Sequence, residues 1–201
     1  AVVGSTEAAL PPGSQPAWTG SNHDVGRFPT RWCDGSDERS RCALMALLAL
    51  RGTPFLYYGD EIGMIDVPMP VDAQLDLVGG GGAEQPSRDA GRTPMPWNGR
   101  PGAGFTRDDV RPWIPMGDPH AINVEDQRGD RGSMLHLCRD LIALRRETPE
   151  LRSGAYASLP SPPGAWAWRR GGDTIVTVNL SEDPSSITPG GSASAIARSR
   201  S

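Results

Sequence analysis

The sequence Asn22-His23-Asp24 places an amide, an imidazole and a carboxylate side by side. A carboxylate supplies a fixed negative charge, and a neighbouring imidazole supplies a hydrogen-bond donor. The three residues follow the short apolar stretch Ala17-Trp18-Thr19, which predicts a buried strand that ends in polar residues. On its own, an Asn-His-Asp run is most often a hydrogen-bonded turn, so the rest of the sequence must decide its chemistry.

A second polar pair, Asp60 and Glu61, follows the aromatic stretch 53–58, which predicts a second strand. Adjacent residues after a strand point in opposite directions, so these two carboxylates cannot act together on one bond. We therefore interpret them as scaffold.

The residues between the two predicted strands have the pattern of a helix. Ser36 is a candidate N-cap, and Asp37 and Glu38 fall in the first turn, where carboxylates suit the helix dipole. The nearly continuous apolar run 42–50 ends before Gly52 and predicts a largely buried helix. Strand, helix and strand, with polar residues after both strands, describe a parallel βαβ unit of a barrel or a doubly wound sheet.

The regions before and after this predicted βαβ unit lack a regular spacing of apolar residues. Residues 1–15 predict a connector without a core element, and the long segment 62–129 is rich in Gly, Pro and Asp, with a flexible tip at Gly79–Gly82. A loop of that length in a compact protein is usually functional.

After the long segment, the spacing of apolar residues first indicates a second helix and then changes to the pattern of strands. Apolar residues at helical spacing from Met134 onwards, with Arg145 and Arg146 in the last turn, predict an amphipathic helix. Residues 164–168 and 174–180 then predict two strands joined by a turn, the start of a separate antiparallel β-domain that is very small or cut short.

Composition and charge narrow the possible partners. The 201 residues are 37% hydrophobic and 22% charged, which is typical of a globular chain. The net charge is −4 and no block of basic residues occurs, which argues against nucleic acid and anionic membranes and favours a neutral substrate. No signal segment is evident, and the longest apolar stretch is too short to span a bilayer, so we expect a cytoplasmic protein.

The three cysteines are odd in number and lack Cys-x-x-Cys spacing, so we expect buried free thiols at Cys33, Cys42 and Cys138. Nothing in the sequence indicates a metal site or a cofactor.

Four segments match a known pattern in order and spacing. They are residues 21–28 (Ser-Asn-His-Asp-Val-Gly-Arg-Phe), 51–64 (Arg-Gly-Thr-Pro-Phe-Leu-Tyr-Tyr-Gly-Asp-Glu-Ile-Gly-Met), 91–98 (Gly-Arg-Thr-Pro-Met-Pro-Trp-Asn) and 103–106 (Ala-Gly-Phe-Thr). From about residue 10 to residue 180, the chain resembles the α-amylase family, glycoside hydrolase family 13. It is most similar to the α-glucosidase, oligo-1,6-glucosidase and trehalose synthase group of that family.

This resemblance implies an α/β fold. Residues 1–150 would form the C-terminal part of a (β/α)₈ TIM barrel, strands seven and eight with their helices, and residues 151–201 a small, truncated antiparallel β-domain. In the family, the nucleophilic Asp follows strand four and the acid/base Glu follows strand five, both upstream of the strand-seven motif. We therefore expect the chain to lack both carboxylates, and to need a missing N-terminal barrel half as its partner.

The resemblance also assigns residues to a site. It implies that Asp24 is the third catalytic carboxylate, which binds hydroxyls of the sugar and stabilises an oxocarbenium-like transition state, and that His23 donates to the same sugar. Asn22 is expected to hold the turn. Arg27 and Arg92 could face the substrate at the rim of the site, although exposed arginines are more often solvated surface.

Four further side chains are interpreted as structural. Trp97 and Trp113 could stack on sugar rings, but we expect them in the core. His120 and His136 stand in no recognisable pattern of partners.

The implied activity is cleavage of a terminal α-linked glucose from short oligosaccharides, with retention of configuration through a covalent intermediate. The substrate partner would be an α-glucoside, with no nucleic acid and no membrane involved. Two alternatives remain: transglucosylation of the trehalose synthase type, and a non-catalytic relative that serves as an interaction subunit.

Overall fold

The computed structural model describes residues 2–76 and 87–181, together with residues 183, 184 and 186. The described α-helices are α1 (Val2–Ala9), α2 (Phe28–Arg31), α3 (Asp37–Ala49), α4 (Val124–Gly129), α5 (Met134–Glu147) and α6 (Pro149–Ser153). The strands are β1 (Ala17–Thr19), β2 (Thr53–Phe55), β3 (Tyr156–Leu159), β4 (Ala165–Arg170) and β5 (Thr174–Asn179). No helix in the described part of the chain is both long and apolar enough to cross a membrane.

The described residues group into two compact units. One comprises the described residues of Ala1–Thr19, Arg41–Phe55 and Arg139–Ser201, and the other those of Gly20–Ser40 and Leu56–Cys138. The predicted division at residue 150 follows the family pattern and stays a prediction.

The predicted βαβ unit is confirmed. Strands β1 and β2 pair in parallel, with Trp18 opposite Pro54, and α3 lies in the crossover between them. The predicted burial of β1 is wrong, because Ala17 and Thr19 are exposed. In β2 the ring of Phe55 is 56% exposed. In the sheet as described, each of the two strands has a neighbour on one side only.

Helix α3 has the features expected of it. The Ser36 hydroxyl accepts a hydrogen bond from the backbone N–H of Arg39 at 3.3 Å, and the apolar residues from Leu44 to Leu50 are buried. Gly52 follows with φ +100°, and a Cβ there would lie 2.1 Å from the carbonyl oxygen of Pro16. Only glycine therefore fits at this entry into β2.

Two arginines, the partly buried Arg145 and the fully buried Arg170, bind the carbonyl oxygens at the C-terminal end of α3. Arg145 Nη1 donates to Leu48 at 2.7 Å and to Leu50 at 2.8 Å, and Arg170 Nη1 donates to Ala49 at 2.6 Å. Positive charge at a helix C-terminus is favourable. Burial, reinforced by the charge of Arg145, lowers the pKa of Arg170 to about 10.

The second sheet is antiparallel and has the order β3-β4-β5, with Trp168 fully buried in β4. Both predicted strands are confirmed, and the structure adds β3 and α6. The three thiols are buried, as predicted.

Residues 1–15 are not the irregular connector that was predicted, because α1 occupies most of them. None of its residues is fully buried, which explains why the sequence shows no core pattern there. Glu7 in α1 pairs with Arg51 at 2.7 Å.

The long segment is mostly irregular, as predicted, with short 3₁₀ turns and α4. A small core of Ile62, Met64, Met95 and Val124 holds it together. The predicted tip at Gly79–Gly82 lies outside the described residues.

Candidate functional site

The Asn22 side chain closes the turn that carries the candidate site. Its Oδ1 accepts hydrogen bonds from the backbone N–H of Asp24 at 2.8 Å and of Val25 at 3.0 Å. This confirms that Asn22 holds the turn. The side chains of His23 and Asp24 are 71% and 50% exposed, with His23 Nε2 3.4 Å from Asp24 Oδ2. Both are therefore open to a ligand.

The Asp24 carboxylate is bound by two arginines from the long segment. Arg88 Nη1 donates to Oδ1 at 2.5 Å, and Arg92 Nη2 lies 3.5 Å from the same oxygen. Arg92 Nε also donates to the carbonyl oxygen of His23 at 2.7 Å, so it binds both the backbone and the carboxylate of the turn. The structure thus brings His23, Asp24 and Arg92 together and adds Arg88.

Asp76 holds the two arginines in place. Its side chain is only 6% exposed; it pairs with Arg88 Nε, accepts from Arg88 Nη2 at 2.9 Å, and lies 3.1 Å from Arg92 Nη1. The hydrogen bond to Asp76 raises the pKa of Arg88. Bonds between charged groups of this kind are directional and orient the guanidinium groups.

A second buried carboxylate fixes the loop around Asp76. Asp89 Oδ2 accepts from the backbone N–H groups of Leu75 at 2.7 Å and Asp76 at 2.8 Å. Burial alone would raise the pKa of Asp89, but these backbone bonds outweigh burial and lower it.

Asp60 links the residues that follow β1 to the residues that follow β2. Its Oδ1 accepts from the Ser21 hydroxyl at 2.7 Å, and its Oδ2 accepts from the backbone N–H of Tyr57 at 3.0 Å. Burial raises the pKa of Asp60 to about 6. The neighbouring Glu61 accepts from the backbone N–H of Gly59 at 2.7 Å. Both carboxylates bind the local backbone, which confirms that they are scaffold.

Arg27 is buried, unlike the exposed turn that precedes it. It was expected on the substrate-facing rim or on solvated surface, but it is fully buried against Tyr57 and Tyr58. The physical reason is that its planar guanidinium stacks on the two rings. Its proposed contact with the substrate stays a prediction.

Two tryptophans are more exposed than expected. Trp97 is 46% and Trp113 64% exposed, so neither is the core residue that was predicted. Both lie in irregular segments, each directly after a proline. His136 is buried and hydrogen-bonded to Ser133, which confirms its structural role.

Sequence reasoning missed Arg88 and Asp76. Arg88-Asp89 stands two residues before the Gly-Arg-Thr-Pro segment at 91–94, and that proximity was the available signal. Asp76 lies in an aperiodic stretch and carries no such signal. Among the described residues, no group of three or more His, Cys, Asp or Glu side chains could hold a metal ion.

Comparisons with known proteins agree with this fold. The family model for the α-amylase catalytic domain matches residues 3–154. The chain is 35% identical to the trehalose-6-phosphate hydrolase of Escherichia coli over 188 residues, which cover 81% of this chain and 34% of that protein. It is 39% identical to the trehalose synthase/amylase TreS of Mycobacterium tuberculosis over 154 residues, covering 70% of this chain and 23% of that protein. The crystal structure of the α-glucosyl transfer enzyme XgtA superposes with a TM-score of 0.87 and 34% identity, covering 95% of this chain and 37% of that one.

The fold is thus that of the C-terminal part of a (β/α)₈ barrel enzyme with a small β-domain. The chain belongs to the α-amylase family, and its relatives include the predicted α-glucosidase, oligo-1,6-glucosidase and trehalose synthase group. The chain spans about a third of the length of the first of these curated relatives.

Proposed function

We propose that the full-length protein is a retaining glycoside hydrolase that removes terminal α-linked glucose from short oligosaccharides. Asp24 would be its third catalytic carboxylate. The observation that carries the proposal is the half-exposed Asp24 carboxylate, which Arg88 and Arg92 hold beside the exposed imidazole of His23.

This arrangement suits an oxocarbenium-like transition state. The Asp24 carboxylate supplies negative charge where positive charge develops on the sugar, and its Oδ2, which does not contact the arginines, can accept from sugar hydroxyls. His23 can donate to the same ring. Arg88 and Arg92 fix the position of the Asp24 carboxylate, so little reorganisation is needed during the reaction.

Asp24 in this role neither attacks the sugar nor protonates the leaving group. A retaining enzyme needs two carboxyl groups about 5 Å apart for those steps. We place the nucleophile, the acid/base and the remaining barrel strands in the regions of the relatives that this chain does not match. By this proposal, the 201-residue chain alone is inactive.

The long segment accounts for the preference for short, terminal substrates. It contributes Asp76, Arg88 and Arg92, so it forms a wall directly beside Asp24. A wall at that position would close one end of the pocket and make the enzyme exo-acting. The relatives, which include oligo-1,6-glucosidases and a trehalose-6-phosphate hydrolase, support this choice.

Transglucosylation of the trehalose synthase type is the second candidate. It is favoured by the similarity to TreS and to an α-glucosyl transfer enzyme. The same residues would serve both reactions, because only the acceptor differs: water in hydrolysis and a sugar hydroxyl in transfer. A non-catalytic interaction subunit would have no need for the charged cluster around Asp24. The cytoplasmic location stays a prediction.

The test is to incubate the full-length protein with maltose, isomaltose and trehalose and to follow the products by proton NMR. Stereochemistry is determined with a chromogenic α-glucoside, whose leaving group is not a sugar: hydrolysis with retention should release α-glucose before mutarotation. New disaccharides in place of glucose would favour transglucosylation. Initial release of β-glucose from the chromogenic substrate, or no reaction with any α-glucoside, would contradict the proposal.

A further inference from the structure

Asp66 is a partly buried residue that binds the segment directly after the Asp24 turn. Its Oδ1 accepts a hydrogen bond from the backbone N–H of Arg27 at 2.9 Å. Its own backbone N–H donates to the Thr30 hydroxyl at 2.7 Å. Arg27 directly precedes α2 and Thr30 lies within it, so Asp66 holds the start of this helix at two points.

The Asp66 carboxylate also lies directly against the backbone of Gly26, two residues after Asp24. A Cβ added to Gly26 would overlap Asp66 Oδ2, and the three atoms nearest to that Cβ all belong to the Asp66 side chain. Only glycine leaves room for the carboxylate at this position. Asp66 therefore limits how closely the end of the turn can approach the residues that follow β2.

The same carboxylate contacts the stretch of chain that carries the two arginines bound to Asp24. A Cβ on Gly91 would lie 3.2 Å from Asp66 Oδ1. Next along the chain, the backbone N–H of Val67 donates to the carbonyl oxygen of Ala90 at 3.0 Å. The turn segment and the arginine-bearing stretch are therefore both held at residues 66 and 67.

We propose that Asp66 is a positioning residue, which fixes the separation between the Asp24 carboxylate and the guanidinium groups of Arg88 and Arg92. The inference rests on the proposed function, in which Asp24 stabilises the transition state. Both arginines approach the same oxygen of Asp24, so a shift of the turn relative to their stretch changes both contacts. Displacement of a catalytic group by about 1 Å can lower the rate by about 10²-fold. Asp66 acts through Asp24 and needs no contact with the substrate.

The test compares two substitutions of Asp66 in the full-length enzyme, with a chromogenic α-glucoside as substrate. Asp66→Asn keeps an acceptor oxygen and the volume of the side chain, so it should retain kcat within about twofold of wild type. Asp66→Ala removes both and should lower kcat by about 10-fold, with KM changed by less than about threefold, because Asp24 acts on the transition state. Asp108→Ala, at an exposed aspartate of the long segment, is the control.

A role of Asp66 in stability alone would lower the amount of folded enzyme but not its turnover. The value of kcat is therefore expressed per folded molecule, with the folded fraction of each sample measured by circular dichroism. On that basis, a kcat of Asp66→Ala within about twofold of wild type would overturn the proposal. Equal losses in Asp66→Asn and Asp66→Ala would overturn it as well.

The variant Gly26→Ala gives an independent check of the close contact. Its methyl group would displace the Asp66 carboxylate and should lower kcat by about 10-fold. In the Asp66→Ala background the methyl group has room, so the double variant should lose no more activity than the more impaired single variant. Losses that multiply in the double variant would show that the two residues act independently, contrary to the proposal.

Crystal structures of the full-length wild type and Asp66→Ala separate this inference from the proposed activity. We expect the contact between Arg88 Nη1 and Asp24 Oδ1 to lengthen beyond about 4 Å in Asp66→Ala, so that the ion pair is lost. An unchanged contact would overturn the positioning role whether or not the protein cleaves α-glucosides. Loss of the contact in a protein whose wild type shows no turnover would support the positioning role and count against the proposed function alone.

Discussion

The Ser21 hydroxyl donates a hydrogen bond to the buried carboxylate of Asp60 at 2.7 Å, although 39 positions separate the two residues in the sequence. The same hydroxyl accepts from the backbone N–H of Phe28 at 2.9 Å. One serine therefore ties both ends of the segment that bears His23 and Asp24 to the residues that follow β2. The orientation of Asp24 depends on this tie as well as on the arginines that contact it.

The first prediction concerns the titration of Asp60. Its pKa in the folded chain is raised from 3.8 to about 6, so its contribution to stability is present below about pH 4 and is lost as the pH rises through 6. Between pH 4.5 and 7.5, the free energy of unfolding of the full-length protein should fall relative to that of Asp60→Asn by about 2 kcal/mol. Denaturant unfolding of both proteins at the two pH values measures the difference. Parallel changes in the two proteins would show that Asp60 does not titrate in this range.

The second prediction concerns Asp24. In the full-length enzyme, Asp24→Asn should lower kcat on a chromogenic α-glucoside by at least about 10²-fold, because a preorganised charge is lost at the transition state. Binding of substrate should weaken less. Asp108→Asn, at an exposed aspartate of the long segment, is the control and should keep wild-type turnover. Turnover of Asp24→Asn within a few-fold of wild type would show that Asp24 is not the third carboxylate.

The third prediction concerns Arg88, which contacts both Asp24 and Asp76. Arg88→Lys keeps the charge but loses the two-pronged contact with Asp76, and should lower kcat/KM by about 10-fold. Arg88→Met, which loses the charge as well, should lower it by about 10²-fold. Steady-state kinetics measures both variants, with Arg107→Met, at an exposed arginine of the long segment, as the control. Equal activity of Arg88→Met and wild type would place Arg88 outside the site.

The fourth prediction concerns substrate size. If the long segment closes one end of the pocket, the full-length enzyme should release glucose from chain ends and act poorly on long starch chains. Iodine staining of soluble starch should then fall slowly while reducing sugar accumulates. A rapid loss of staining would indicate internal cutting and an open cleft.

The fifth prediction concerns the 201-residue chain by itself. It should show no glycosidase activity and should aggregate, because β1 and β2 would present unpaired edges and Phe55 an exposed ring. Purification followed by size-exclusion chromatography and an α-glucoside assay measures both. Turnover that disappears in Asp24→Ala would mean that these residues assemble a working site without further carboxylates.

The sequence predicted those features that depend on neighbouring residues or on a regular spacing of apolar residues. Helix α3 has a capping serine, acidic first-turn residues and an apolar run, and its position was correct. Residues 1–15 could not be identified as helical, because α1 buries none of its residues and therefore has no helical spacing of apolar side chains. The burial of β1 was overestimated, because an apolar strand does not specify how many neighbours it has.

The site was predicted where residues adjacent in sequence act together. Asn22, His23 and Asp24 form one turn, and local hydrogen bonding makes such a run recognisable. Asp76 could not be found, because it meets Arg88 and Arg92 only through the path of an aperiodic loop. The burial of Arg27 was missed for a related reason, since stacking on Tyr57 and Tyr58 is a contact across about 30 residues of sequence.

The arginines at the C-terminal end of α3 have a consequence for the order in which the chain folds during synthesis. The carbonyl oxygens of Leu48 and Ala49 are bound by residues 97 and 121 positions later. A nascent chain that has emerged only as far as β2 therefore has the residues of α3 but not the side chains that complete its last turn. That turn gains its first partner with Arg145 in α5 and its second with Arg170 in β4, so the small β-domain takes part in completing the helix. Translation that stops before residue 145 leaves both carbonyl oxygens open to solvent and α3 free to fray from its C-terminal end.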